Sequence, residues 1–254
     1  VYTDLLRNGN MEDPYWKDNE DAICSLMEKD YEYQCTFQGE ETEDLSNAFL
    51  RFEGLDTVAD IYLNNVHVGN AESMHRTWEY PVKEVLSPGE NTLKVVFHSP
   101  LKFIAQAYKK YGNIGNDDTY EGFMHLRKAH YMFGWDWGPQ LPDTGIWRPV
   151  ELNAFSGARL ADVHVEQMHN KGTVSLQVDI QLDELPGSNK NTVCCVLTSP
   201  SGDTMQAQEE PNTGKTSVSF TVAAPQLWWP NTYGEQPLYT LRVELWGENG
   251  QVQD

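Results

Sequence analysis

Apolar and polar side chains alternate along this chain in short bursts separated by turn residues. A period of two marks strands that are half-buried on a sheet. The clearest cases are Tyr31–Phe37, Ala48–Phe52, Val58–Leu63, Thr92–His98 and Trp147–Asn153. Asn64-Asn65, between Tyr62-Leu63 and Val66-His67-Val68, reads as a tight hairpin turn, and Ser87-Pro88-Gly89-Glu90-Asn91 as another. Glu40-Glu41-Thr42-Glu43-Asp44 reads as an acidic hairpin tip. One helix is predicted, with Ser99 as N-cap, Pro100 in the first position, Leu101–Tyr111 as its body and Gly112 as its stop. Strand after strand with a single short helix predicts an all-β sandwich of jelly-roll type.

A second strand series follows Phe155-Ser156-Gly157. Leu160–Met168, Thr173–Leu182, Val193–Ser199, Ser217–Val222 and Leu238–Leu245 recur at sandwich spacing, with turns at Pro186-Gly187 and Pro200-Ser201-Gly202. This pattern suits an immunoglobulin-like β-sandwich. The expected division is a jelly-roll domain over 1–156 and an immunoglobulin-like domain over 157–254.

Composition narrows the functional classes. The 254 residues are 39% hydrophobic and 22% charged, as in a well-cored globular protein, and include eight Trp, twelve Tyr and nine Phe. A formal net charge of −20 repels phosphate backbones and anionic lipid, which argues against nucleic-acid and membrane partners and suits a neutral ligand. Solubility alone also explains such a charge. No apolar run reaches the roughly 18 residues of a spanning helix. The start, Val1-Tyr2-Thr3-Asp4, shows no signal-peptide pattern. Cys194 and Cys195 are adjacent on a predicted strand and point to opposite faces; Cys24 and Cys35 are free to pair without being required to. Reduced thiols and a cytoplasmic location are the expectation, with no cofactor. His125, His130, His164 and His169 lack a third ligand at metal spacing. Asp117-Asp118 with Glu121 lack the glycine of a calcium loop. No metal site is expected.

The chemistry concentrates in Arg127-Lys128-Ala129-His130-Tyr131-Met132-Phe133-Gly134-Trp135-Asp136-Trp137-Gly138-Pro139. An acid held between indoles suits a sugar: indole faces stack on the apolar face of a pyranose, and the carboxylate accepts hydrogen bonds from its hydroxyls. The bland alternative is a hydrophobic plug whose Asp136 caps the turn before Gly138-Pro139. Arg127 and Lys128 either reach a substrate oxygen or serve as internal ion-pair anchors. Trp228-Trp229-Pro230 resembles a second sugar platform, and its place at a sandwich edge reads better as packing.

Five segments in order carry a family resemblance. They are Asp13-Pro14-Tyr15-Trp16-Lys17-Asp18-Asn19-Glu20, the hairpin from Phe52-Glu53-Gly54-Leu55-Asp56 to Asn64, Gly134-Trp135-Asp136-Trp137-Gly138-Pro139, Thr144-Gly145-Ile146-Trp147-Arg148-Pro149-Val150, and Leu227-Trp228-Trp229-Pro230 through Tyr239. Together they resemble glycoside hydrolase family 2, and within it the β-mannosidases. The resemblance implies a retaining exo-hydrolase that removes terminal β-linked mannose with two glutamates on a (β/α)₈ barrel. Such a barrel takes ~250 residues by itself, so this sequence is expected to lack it. The sole Asn-Glu pair, Asn19-Glu20, lies far from the place of the family's acid/base. No catalytic role is carried over.

What the resemblance does carry over is a loop lent to the sugar subsite. Asp136 is the expected hydroxyl-binding acid, with one of Trp135 and Trp137 facing the sugar and the other the sandwich core. Leu141-Pro142-Asp143 lies where the family varies, which leaves mannose against a related sugar open. Three functions follow as hypotheses: the non-catalytic N-terminal portion of a β-mannosidase-like glycosidase, a freestanding carbohydrate-binding module, or a scaffold that positions and oligomerises a barrel. The expected partners are a β-mannoside or related neutral oligosaccharide, the catalytic barrel of the same polypeptide, and a second copy of the chain.

Overall fold

A computed structural model describes residues 1–39, 47–184, 191–248 and 250–254. The acidic tip at Glu40–Asp44 and the turn at Pro186-Gly187 lie outside the described residues. The chain divides into two compact units, Val1–Ala154 and Phe155–Asp254.

In the first unit, helices α1 (Tyr2–Arg7) and α2 (Asn19–Cys24) precede the strands β1 (Tyr31–Gln38), β2 (Asn47–Phe52), β3 (Leu55–Asp56), β4 (Val58–Leu63), β5 (Val66–Glu72), β6 (Trp78–Pro81) and β7 (Glu90–Phe97). Helix α3 (Pro100–Tyr111) follows, then β8 (Phe133–Trp135), β9 (Gly138–Gln140), β10 (Gly145–Ile146) and β11 (Val150–Phe155). A four-stranded sheet in the order β1-β7-β4-β5 faces a three-stranded sheet in the order β11-β2-β6. Their inner faces are the alternating residues of the sequence pattern: Leu50 and Phe52 on β2, Ala59, Ile61 and Leu63 on β4, and Leu93, Val95 and Phe97 on β7, all buried. Burying each large aliphatic or aromatic side chain of this set contributes ~1.5–3 kcal/mol.

Local chemistry explains the turns. Asn64 and Asn65 sit at φ 50° and 67°, the backbone a two-residue hairpin demands. Asn91 is fully buried, accepts from the Ser87 N–H and donates to the Ser87 and Gly89 carbonyls, which closes the second turn. The Ser99 hydroxyl accepts from the Lys102 N–H at 3.1 Å and caps α3, and Gly112 ends it at φ 74°. A single helix was expected here; α1 and α2 are two more, each one and a half turns long, too short to leave a helical period. The strand expected at Trp147 starts three residues later, at Val150, because Pro149 cannot donate to a ladder.

The second unit pairs β12 (Ala158–Asn170), β13 (Thr173–Glu184) and β16 (Lys215–Ala223) in the order β12-β13-β16. The opposing sheet is β15 (Thr204–Glu209), β14 (Thr192–Thr198) and β17 (Thr240–Trp246) in the order β15-β14-β17. Val178, Ile180, Val193, Cys195, Leu197, Phe220 and Leu245 fill the space between. All four cysteines are free thiols, and burial pushes Cys195 up to about 11. Among the described residues no helix is long and apolar enough to cross a membrane, which says nothing of a β-barrel.

Candidate functional site

A second apolar cluster of the first unit forms the platform of the site. Ile23 of α2, Met27, Leu101 and Ile104 of α3, Phe123, Leu126 and Phe133 pack together. Phe133 is fully buried and carries the β8–β9 hairpin, in which Phe133 pairs with Gln140 and Trp135 with Gly138. Asp136 and Trp137 are therefore the two-residue tip. Gly134 lies at φ +94°, and a Cβ there would stand 2.6 Å from Gln140 Cγ. Only glycine lets the Gln140 side chain cross this strand.

Below the tip the chain is fastened at several points. Lys128 is 2% exposed; its Nζ donates to the Asp56 carboxylate on β3 and to the Asp143 carbonyl. The Thr144 hydroxyl donates to the Asp56 carbonyl. Burial pulls the Lys128 pKa below its ordinary value, against the Asp56 carboxylate, which favours the charged form. Of the two readings for this lysine, the internal anchor is the one its position allows. Arg127, next to it, is exposed.

The tip separates two hollows. An apolar groove of ≈ 550 Å³ is lined by residues including Leu6, Met11, Tyr15, Tyr131, Trp135 and Trp137. A polar notch of ≈ 440 Å³ is lined by Asn116, Asp118, Thr119, Trp135, Asp136 and Gln140. Trp135 is the wall they share. Asp136 is exposed, and no hydrogen bond or ion pair among the described residues engages its carboxylate, so no turn N–H is capped by it. Trp135 is 60% exposed and Trp137 84% exposed. The expectation that one indole faces the sandwich core is corrected: Trp135 at the end of β8 and Trp137 in the two-residue tip are both exposed, beyond the buried Phe133.

Four notch residues went unnoticed in the sequence as site residues. Asn116, Asp118 and Thr119 belong to a loop with no periodic signal, and Gln140 ends the three-residue strand β9. Gln140 donates through Nε2 to the Thr119 carbonyl, and its N–H donates to Glu20 Oε1 at 2.6 Å. His125 and His130 take structural partners. His125 Nε2 lies 2.8 Å from the Gly112 carbonyl, and His130 meets the Phe123 ring edge-on at 5.0 Å. No group of three His, Cys, Asp or Glu residues is placed to hold a metal among the described residues. Trp228 and Trp229 line a groove of ≈ 570 Å³ within the second unit, beside Val165, Leu176 and Leu238. That groove is mostly apolar; Gln167, His169, Gln226 and Tyr239 are its polar lining, and it has no carboxylate.

Two family models match the chain. "Glycosyl hydrolase 2 galactose-binding domain-like" covers residues 1–148, and "Glycosyl hydrolases family 2" covers residues 158–254. The chain belongs to glycoside hydrolase family 2. It is 33% identical to beta-mannosidase B of Emericella nidulans over 99% of its own length and 30% of that protein's. It is 27% identical to a probable beta-mannosidase of Caenorhabditis elegans over 98% and 30%. The crystal structure of a beta-D-mannosidase from Dictyoglomus thermophilum superposes with a TM-score of 0.91 at 34% identity, over 100% of this chain and 32% of that one. An exo-chitosanase from Amycolatopsis orientalis shares the fold, with a TM-score of 0.72 at 19% identity, over 100% and 28%. The chain thus spans about 30% of the length of the curated relatives it matches.

Proposed function

We propose that this chain is the N-terminal, non-catalytic portion of a β-mannosidase-like retaining exo-glycosidase, and that its β8–β9 hairpin lends Trp135 and Asp136 to the sugar subsite. The observation that carries the reading is the notch itself. It joins an exposed indole to a carboxylate that no protein group engages among the described residues. The indole offers an apolar face for the C–H side of a pyranose ring. The ionised carboxylate is acceptor-only, so it receives hydrogen bonds from ring hydroxyls. The relatives named beta-mannosidase supply the sugar, and the bond-cleaving carboxyl pair belongs to the remainder of the polypeptide.

Trp135 is the stacking ring in this reading, because it alone of the two indoles lines the notch with Asp136. Trp137 belongs to the apolar groove, beside Tyr15 and Tyr131. Hydrogen bonds made in an open notch are individually worth little, on the order of 1 kcal/mol net, so this chain alone binds a monosaccharide weakly. Titration with methyl β-mannoside, followed by tryptophan fluorescence, should give saturable quenching in the millimolar range. Asp136→Ala should abolish it. Quenching that survives Asp136→Ala, or none in the native chain, refutes the assignment. An aryl β-mannoside should not be turned over by the purified chain.

A further inference from the structure

The segment Asp13–Glu20 carries the chain's sole Asn-Glu pair, and its fold brings the glutamate of that pair to the notch wall. Asp13 Oδ1 accepts from the Tyr15 N–H at 2.9 Å, and Asn19 Nδ2 donates to the Asp13 carbonyl at 2.8 Å, so the segment folds on itself. Ile23, one turn further along α2, is buried in the cluster that also holds Phe133. The Glu20 carboxylate is thereby carried to β9, 120 residues away in sequence, where Oε1 accepts the Gln140 N–H at 2.6 Å.

We propose that Glu20 is the positioning residue of the sugar notch, an inference that rests on the function proposed above. Gln140 stands at the junction of the notch walls. Its N–H is held by Glu20, its Cγ crosses Gly134 on the partner strand, and its Nε2 holds the Thr119 carbonyl. One carboxylate therefore sets the main chain from which the side chain reaches the loop bearing Asn116 and Asp118. The hairpin is anchored by apolar packing of the buried Phe133 and the partly buried Leu141 on one cluster. The bond to Glu20 adds a directed polar contact at the Gln140 N–H, which apolar packing does not supply. A charged acceptor makes a shorter and stronger bond to an N–H than a neutral one. Sites whose supports are loosened by an ångström lose affinity without losing their residues.

Glu20→Ala removes the acceptor, and Glu20→Gln keeps an oxygen in place. For methyl β-mannoside, Glu20→Ala should weaken binding about tenfold, the loss of one charge-assisted bond, and Glu20→Gln should stay within about threefold of the native chain. The exchange of the Gln140 amide proton should quicken in Glu20→Ala alone, with thermal midpoints close to native in both. Native affinity in Glu20→Ala overturns the proposal. So does a lowered midpoint with affinity retained, which makes Glu20 a fold anchor only. If the native chain binds no sugar, the function proposed above fails, and amide exchange then decides the role of Glu20 separately. Unchanged exchange in Glu20→Ala rejects that role.

Discussion

Removing the Lys128 ammonium tests how the hairpin's base is held. Lys128 and Asp56 are both buried, and Lys128→Met keeps the length and apolar stem of the side chain while deleting the charge. The substitution leaves the Asp56 carboxylate inside the protein with the Thr57 hydroxyl as its remaining donor partner among the described residues. It also deprives the Asp143 carbonyl of the ammonium. Breaking a buried pair from one side costs roughly 3–5 kcal/mol, most of it the penalty of the stranded charge. At about 2–4 °C per kcal/mol for a unit of this size, the first unit's midpoint should fall by roughly 6–20 °C. Urea denaturation at pH 7, followed by tryptophan emission, measures the loss. The double variant Lys128→Met/Asp56→Leu should recover most of it, since no charge is then left unpaired. A single variant within about 1 kcal/mol of native, or a double variant no better than the single, refutes the ion-pair account.

Three further outcomes follow from the same geometry. Gly134→Ala places a Cβ 2.6 Å from Gln140 Cγ on a backbone at φ +94°, so it should cost about 1–3 kcal/mol in denaturant and abolish sugar quenching; a neutral effect on both counts contradicts the close approach. Asp60 sits between His98 Nε2 at 2.8 Å and His67 Nε2 at 3.2 Å. Its partial burial raises its pKa, yet the two histidine bonds outweigh this and hold it below its ordinary value. A carboxylate depressed in the folded state contributes stability above its unfolded pKa, near 4, and loses it as pH falls through the lower folded value. Asp60→Asn should therefore flatten the acid loss of stability below about pH 4, by a few tenths of a kcal/mol at this half-exposed site; parallel native and variant curves argue against it. Trp135→Ala and Trp137→Ala should each change stability by less than about 0.5 kcal/mol, because both rings are exposed, and only the first should lose sugar binding.

The sandwiches were legible because their signal is local and periodic. Ala48, Leu50 and Phe52 alternate on β2 with Asn47, Phe49 and Arg51, and the structure buries the first three. Ser99, Gly112 and Asn64-Asn65 mark ends and turns through their own side chains or backbone freedom, so each was readable from its place in the chain. The Trp135-Asp136-Trp137 segment was visible as composition. Its surroundings were not. Glu20, Thr119 and Gln140 meet through one hydrogen bond spanning 120 residues and another spanning 21, and nothing periodic announces such contacts. The orientation of the two indoles was equally hidden, since a two-residue hairpin tip is fixed by the pairing of Trp135 with Gly138 and not by residue type. On β12 the alternation predicted an ordinary half-buried strand, yet its distal residues are exposed, because a sheet edge buries only what the opposing sheet covers.

The most direct measurement is a titration of the uniformly ¹⁵N-labelled chain with methyl β-mannoside, reading the eight tryptophan indole N–H signals after assigning Trp135 through Trp135→Phe. The account predicts a saturable shift of the Trp135 signal, lost in Asp136→Ala, with the Trp228 and Trp229 signals unmoved. A titration that leaves Trp135 in place, or moves Trp228 and Trp229 instead, contradicts the claim that the β8–β9 hairpin holds the sugar.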